Sequence, residues 1–165
     1  MPTTDVAPTE KKKVFQGGKF LTFRLCDESY GIAVLKIREI IRLQKITPVP
    51  QMPHYTRGVI NLRGKIIPVI DMRLKFALPE AVEDERTCIV VVQVAIKGEE
   101  EVPVGLIVDA VEEVTTISGE HIEKNPELGA TRKNEYIHGI AKIDQEVKTL
   151  LDIDKLIAEE DVVRM

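Results

Sequence analysis

The sequence predicts an all-β protein made of two small, pseudo-symmetric five-stranded barrels packed together, with short helical turns and a C-terminal helix. Three observations predict it. Short apolar stretches recur roughly every 8 to 12 residues with Gly, Pro, Asn or Asp between them, the pattern of barrels and sandwiches. Gly58 to Asp71 (GVINLRGKIIPVID) aligns without a gap on Gly139 to Asp152 (GIAKIDQEVKTLLD), and Gly31, Val34, Ile37, Glu39 and Ile40 align with Gly105, Val108, Val111, Glu113 and Val114. The 165 residues are 44% apolar, enough for a core without disulfide or metal staples.

Taken in order, residues 1–18, with a triple lysine and little to bury, read as a flexible tail. Phe20 to Leu25 alternate with period two and predict a half-buried strand. Asp27 to Ser29 turn the chain into a second strand from Tyr30 to Val34. Val34, Ile37, Ile40 and Ile41 predict a strand running into one or two helical turns. Pro48, Pro50 and Pro53 mark an edge or loop. His54 to Arg57 predict one helical turn before the hairpin 58–71, whose tip Asn61 to Gly64 leaves Gly64 free to take positive φ. A short helix or turn covers 72–78, and the acidic segment 79–86 is a surface connection joining the two barrels.

Thr87 to Ile96 form a continuous apolar strand. The chain returns over Val102 to Val108, after a Lys97-Gly98-Glu99 turn, and continues through Val111, Val114 and Ile117. Residues 118–135 are a loop with a helical turn. Tyr136 to Ile143 and Val147 to Ile153 make the last hairpin, and Asp154 is the expected cap of a helix over 155–160. The first barrel falls at about 19–80 and the second at about 86–157, with exchange of strands between them left open. Residues 158–165 are a helix end and tail. Units this small bury too little surface to stand alone, so they share an apolar seam where a partner groove would form.

Chemistry is scarce. His54, His121 and His138 are scattered without ligand spacing, so no metal is expected. Cys26 and Cys88 sit in strand patterns as packing thiols of a reduced compartment. No phosphate-binding loop and no nucleophile elbow occur, so neither cofactor nor catalysis is expected. Seven aromatics, no tryptophan and a net charge of −4 argue against nucleic acid. No apolar stretch approaches a membrane span. Arg63 at the hairpin tip is either a solvated charge or a guanidinium fork for a partner's carboxylate or carbonyl. Glu39 carries the same ambiguity.

The stretches YGIAVLKIREII (30–41), ITPVP (46–50), GVINLRGKIIPVIDMRLKF (58–76), VGLIVDAVEEV (104–114) and LLDIDKLI (150–157) resemble the CheW family of bacterial chemotaxis coupling proteins. The resemblance runs through residues 19–157. It implies two SH3-like barrels and a non-catalytic, cytoplasmic adaptor, recruited to receptor arrays. Such an adaptor couples methyl-accepting chemotaxis receptors to the regulatory domain of the histidine kinase CheA. An adaptor of a non-flagellar chemosensory pathway is the alternative. The receptor's helical hairpin tip is implied to lie in an apolar groove between the barrels, touching Val34, Ile37, Glu39, Gly58, Arg63 and Cys88. Ile37 is the expected apolar anchor, and Gly58 the point of close approach. Ile40, Ile41 and Pro48 are the implied kinase contact on the first barrel, with a second contact at 118–130.

Overall fold

The computed structural model describes residues 17–96, 101–123, 136–157 and 161. The flexibility expected of residues 1–16, the turn at 97–100, the 124–130 part of the second kinase contact and most of 158–165 lie outside these.

Strand β1 (Gly18–Leu25) buries Leu21, Phe23 and Leu25 on one face and Phe20 and Thr22 on the other. It is covered on both sides. β2 (Glu28–Ala33) pairs with it antiparallel. The order expected for 34–41 is reversed: a single 3-10 turn, Val34–Lys36, comes first and β3 (Ile37–Arg42) follows. The β-branched Ile37, Ile40 and Ile41 favour the extended chain. Where a helical turn was expected before Gly58, β4 (Thr56–Leu62) is already under way. The Asp71 N–H reaches the Tyr55 carbonyl at 2.8 Å and ties down its start. β5 (Lys65–Asp71) leads into α1 (Met72–Lys75), whose first amides donate to the Asp71 carboxylate.

β6 (Cys88–Ala95), β7 (Glu101–Val108) and β8 (Ala110–Ile117) follow, then a 3-10 turn at Gly119–His121 and the two-residue β9 (Ile122–Glu123). β10 (Ile137–Ile143) and β11 (Glu146–Leu151) end in α2 (Ile153–Leu156). The cap of α2 is Asp152 rather than Asp154. Asp154 instead accepts from the Ala95 N–H at 2.9 Å and from Lys36 Nζ at 3.1 Å.

The strands form a six-stranded sheet, β8-β1-β2-β11-β10-β9, and a five-stranded sheet, β3-β6-β7-β5-β4. These two SH3-like barrels do not follow the halves of the chain. β1 and β2 pair with strands of the second half, while β6 and β7 pair with strands of the first. Segment 79–86 therefore connects β5 and β6 of one barrel and joins no two barrels. The repeat persists in the registers. Ile41 lies opposite Ile89 as Thr115 lies opposite Phe20, and each pairing carries a register shift at the same place. Val69 pairs Gly105 in parallel as Leu150 pairs Gly31. At both glycines a Cβ would press on a neighbouring side chain, 2.7 Å from Leu150 for Gly31 and 2.8 Å from Ile89 for Gly105.

The largest buried cluster joins Leu21, Phe23 and Ile32 of one barrel to Val90, Val92 and Leu106 of the other, with Met72, Ile153 and Leu156 from the helices. Each barrel has in addition a small interior, around Ile89 and Val69 in one and Phe20 and Leu150 in the other. The seam expected to hold a groove is thus filled by the protein itself. What stays open are its two ends, where the chain crosses between barrels at Val34–Lys36 and at Asp109.

Candidate partner-binding surface

At the first crossing the 3-10 turn swings residues 34–36 out of the β2 ladder before β3 joins the other sheet. A groove of about 500 Å³ opens beside it, lined by Phe20, Ala33, Val34, Leu35, Leu151 and Ile153. Leu35 is 94% exposed on its rim. Lys36 closes one side. Its ammonium meets Asp154 at 3.0 Å and Glu101 at 3.3 Å. Burial works against that charge, but the two carboxylates outweigh it and hold the Lys36 pKa above its ordinary value.

Farther along the same crossing, Glu39 and Arg63 form an ion pair beside a smaller cleft lined by Leu62, Lys65 and Pro103. Arg63 is 69% exposed, so the pair adds only about 0–1 kcal/mol to stability. Arg63→Ala is accordingly expected to leave the urea midpoint nearly unchanged, and a loss above about 1.5 kcal/mol would contradict that exposure. Arg63 takes positive φ at the hairpin tip, which Asn61 braces by accepting the Gly64 N–H at 2.8 Å. It has donors to spare for an incoming oxygen.

The structure thus gathers Val34, Ile37, Glu39 and Arg63 along one crossing. It does not bring Cys88 or Gly58 there. Cys88 stands opposite Arg42, while Ile37 stands opposite Val92, four residues up β6 and roughly 13 Å away. Burial pushes the Cys88 thiol pKa up, as suits a packing residue. Gly58 is buried, and the space beside its Cα is taken by Thr47 and Pro48 of the same chain. It makes room for the protein's own backbone, not for a partner helix. Ile37 is half-buried, packed against the shared core. Ile41 points into the barrel interior, leaving Ile40 (44% exposed) and the exposed Pro48 as the outward part of the expected kinase contact.

Leu35 was missed because it falls between the periodic positions Val34 and Ile37. Its only signal is that it stands where the other repeat has Asp109, at a crossing. Four further exposed apolar side chains fall in equivalent pairs, Ile40 with Val114 and Ile66 with Val147, while the exposed Val82 stands apart on segment 79–86. Each barrel therefore shows the same outward face. His138 is among the residues lining the groove. Burial lowers its pKa from the ordinary 6.5, opposed by Asp152 and assisted by Lys155. The folded state then takes up a proton less readily than the unfolded one, so stability falls as pH drops through 6.5. His138→Gln should flatten that part of a pH–stability profile, and an unchanged profile would assign it to other groups.

The family model described as the CheW-like domain matches residues 19–161. A chemotaxis protein CheW of Klebsiella aerogenes is 36% identical over 146 residues, covering 88% of this chain and 85% of that protein. One from Treponema pallidum is 30% identical over 151 residues, covering 89% and 86%. Among solved structures, the scaffolding protein TtCheW from Thermoanaerobacter tengcongensis superposes with a TM-score of 0.74 at 34% identity, covering 86% of this chain and 92% of that one. No helix among the described residues is long and apolar enough to cross a membrane.

Proposed function

We propose that this chain, which belongs to the CheW-like domain family, couples chemotaxis receptors to the histidine kinase CheA. It is a chemotaxis adaptor of the scaffold kind. In the finer reading, the helical tip of a receptor lies along the Val34–Glu39 crossing, with one apolar side chain in the groove and a polar group on Arg63. The observation that carries this is Leu35, a leucine almost wholly in water at the lip of an apolar groove. An amphipathic helix laid there removes both from solvent. The outward face around Ile40 and Pro48 is the kinase-domain contact. The relatives named for chemotaxis favour this over a non-flagellar pathway.

Titrating a receptor hairpin fragment against wild type, Leu35→Asp and Arg63→Ala tests it. Burying one leucine is worth about 1.5–3 kcal/mol, so Leu35→Asp should weaken binding by about tenfold or more. Arg63→Ala should cost less, and neither should alter binding of the CheA regulatory domain. Ile40→Asp should reverse the pattern, losing the kinase domain and keeping the receptor fragment. Unchanged receptor affinity in both groove variants would overturn the assignment.

A further inference from the structure

The repeat equates two spots, one on each sheet, that have opposite chemistry. Both lie at a bulge. Between Thr22 and Phe23 the β1–β8 register skips Glu112, and between Ile37 and Glu39 the β3–β6 register skips Arg38. A bulge takes its extra residue out of the ladder and re-aims the side chain. The registers extend the equivalence. Arg24 opposite Ser29 corresponds to Gln93 opposite Pro103, and Glu146 and Lys148 correspond to Lys65 and Ile67.

On the six-stranded sheet the spot is neutral and closed. The Ser29 hydroxyl donates to Glu112 at 2.6 Å, and the buried Lys148 donates to Ser29 at 3.0 Å and to Glu146 at 3.1 Å. Arg24 bridges the two acids, reaching Glu112 at 3.1 Å and Glu146 at 2.8 Å. Two cations meet two carboxylates. On the five-stranded sheet both acids give way to cations, Glu112 to Arg38 and Glu146 to Lys65. A cleft of about 160 Å³ stays open there, with Ile67, Val91 and Pro103 as its apolar lining. Arg38 and Lys65 are exposed, and their side chains make no hydrogen bond or ion pair with any described residue. Arg63, on the same cleft, is paired with Glu39. Three cations thus face one carboxylate, and the counter-charges that the other sheet holds internally are missing.

We propose that the cleft at Arg38 and Lys65 receives acidic side chains of the receptor's helical tip, so that these two cations select among tips by charge. The inference rests on the proposed function: through Glu39 and Arg63 the cleft continues the crossing along which that tip lies. A cleft lined by one sign of charge with apolar walls concentrates its field on an incoming carboxylate. Cations at the rim of an interface act mainly on the rate of association and on its salt dependence.

The test titrates a receptor hairpin fragment against the full-length chain at low and at high salt. Wild type is compared with Arg38→Gln/Lys65→Gln, with Leu35→Asp, and with Lys45→Gln/Lys142→Gln, which removes the same charge away from the cleft. Losing two exposed ion pairs should weaken binding about five- to tenfold at about 50 mM salt, and less than about twofold at about 500 mM, where exposed charges are screened. Leu35→Asp should weaken it at both, and the Lys45→Gln/Lys142→Gln chain should bind as wild type does. Urea midpoints of both double variants should match wild type, because the replaced side chains are exposed. An Arg38→Gln/Lys65→Gln chain that binds as tightly as wild type or as the Lys45→Gln/Lys142→Gln control at low salt overturns the inference, and a loss with Leu35→Asp then still upholds the receptor contact. If Leu35→Asp also binds like wild type, that contact falls with it.

Discussion

Gly58→Ala is expected to destabilise the protein by roughly 3–5 kcal/mol, a large share of the 5–15 kcal/mol that holds an ordinary domain together. Gly58 has φ +140°, and a Cβ built on it meets the Thr47 carbonyl oxygen at 2.0 Å, its carbon at 2.7 Å and Pro48 Cα at 2.9 Å. All three are backbone atoms, so no rotamer change relieves them. Relief requires moving residues 47–48 away, and that breaks the reciprocal Thr47–Val59 hydrogen bonds, both 2.9 Å. Each is worth about 1 kcal/mol, added to about 1–3 kcal/mol for a β-carbon at that φ. Gly64→Ala is the control. It also sits at positive φ, +86°, but nothing lies within 4 Å of its added Cβ, so only a strain of about 1 kcal/mol applies. Urea unfolding of both variants decides the matter. Equal losses would mean that the close approach is not what Gly58 serves. Because residues 47–48 carry part of the proposed kinase face, a folded remnant of Gly58→Ala should also bind the kinase domain poorly.

Cutting the chain within 79–86 should leave neither fragment able to fold alone, while mixing them should restore the fold. Residues 1–83 keep β1 and β2 but lose β8 and β11, their neighbours on either side, and keep β3 to β5 but lose β6 and β7 between them. The complementary fragment is broken in the mirror-image way. Each fragment would expose half of the shared cluster, Leu21, Phe23 and Ile32 in one case and Val90, Val92 and Leu106 in the other. At about 25 cal/mol per Å² that loss exceeds what a unit of this size has in reserve. Circular dichroism with cooperative melting checks it. A sharp native-like transition in either fragment by itself would contradict the exchanged topology.

The repeat was readable because its markers have local causes. Gly58 and Gly139 sit at the register shifts early in β4 and β10, and Asp71 and Asp152 cap the helices after them. The all-β class was readable from alternation. The exchange of strands was not, because a period of two says which face a residue takes and nothing about which strand lies beside it. β2 and β11, like β5 and β7, pair in parallel, with no turn in the sequence to announce it. The reversed order at 34–41 had the same origin: helical spacing and β-branching conflicted, and the crossing between barrels decided. Of the candidate site, Val34, Glu39 and Arg63 stand where a partner can reach them. Ile37, Cys88 and Ile41 are half-buried against the core clusters and Gly58 is buried, since burial depends on neighbours distant in sequence. Asp154 was taken for a cap because it precedes an apolar run, yet it is spent on the clasp with Lys36 and Ala95.

Site-specific photo-cross-linking to a receptor hairpin fragment, from a benzophenone side chain introduced at position 35, tests most directly whether the crossing between barrels is the receptor contact. Position 82 is the control, since Val82 is 92% exposed, nearly as much as Leu35, but lies on the acidic segment 79–86, beside the Asp109 crossing. Strong cross-links from 35 and from 63 with none from 82 are the predicted result. Cross-links from 82, with 35 silent under conditions where the complex forms, would place the receptor elsewhere and contradict the account.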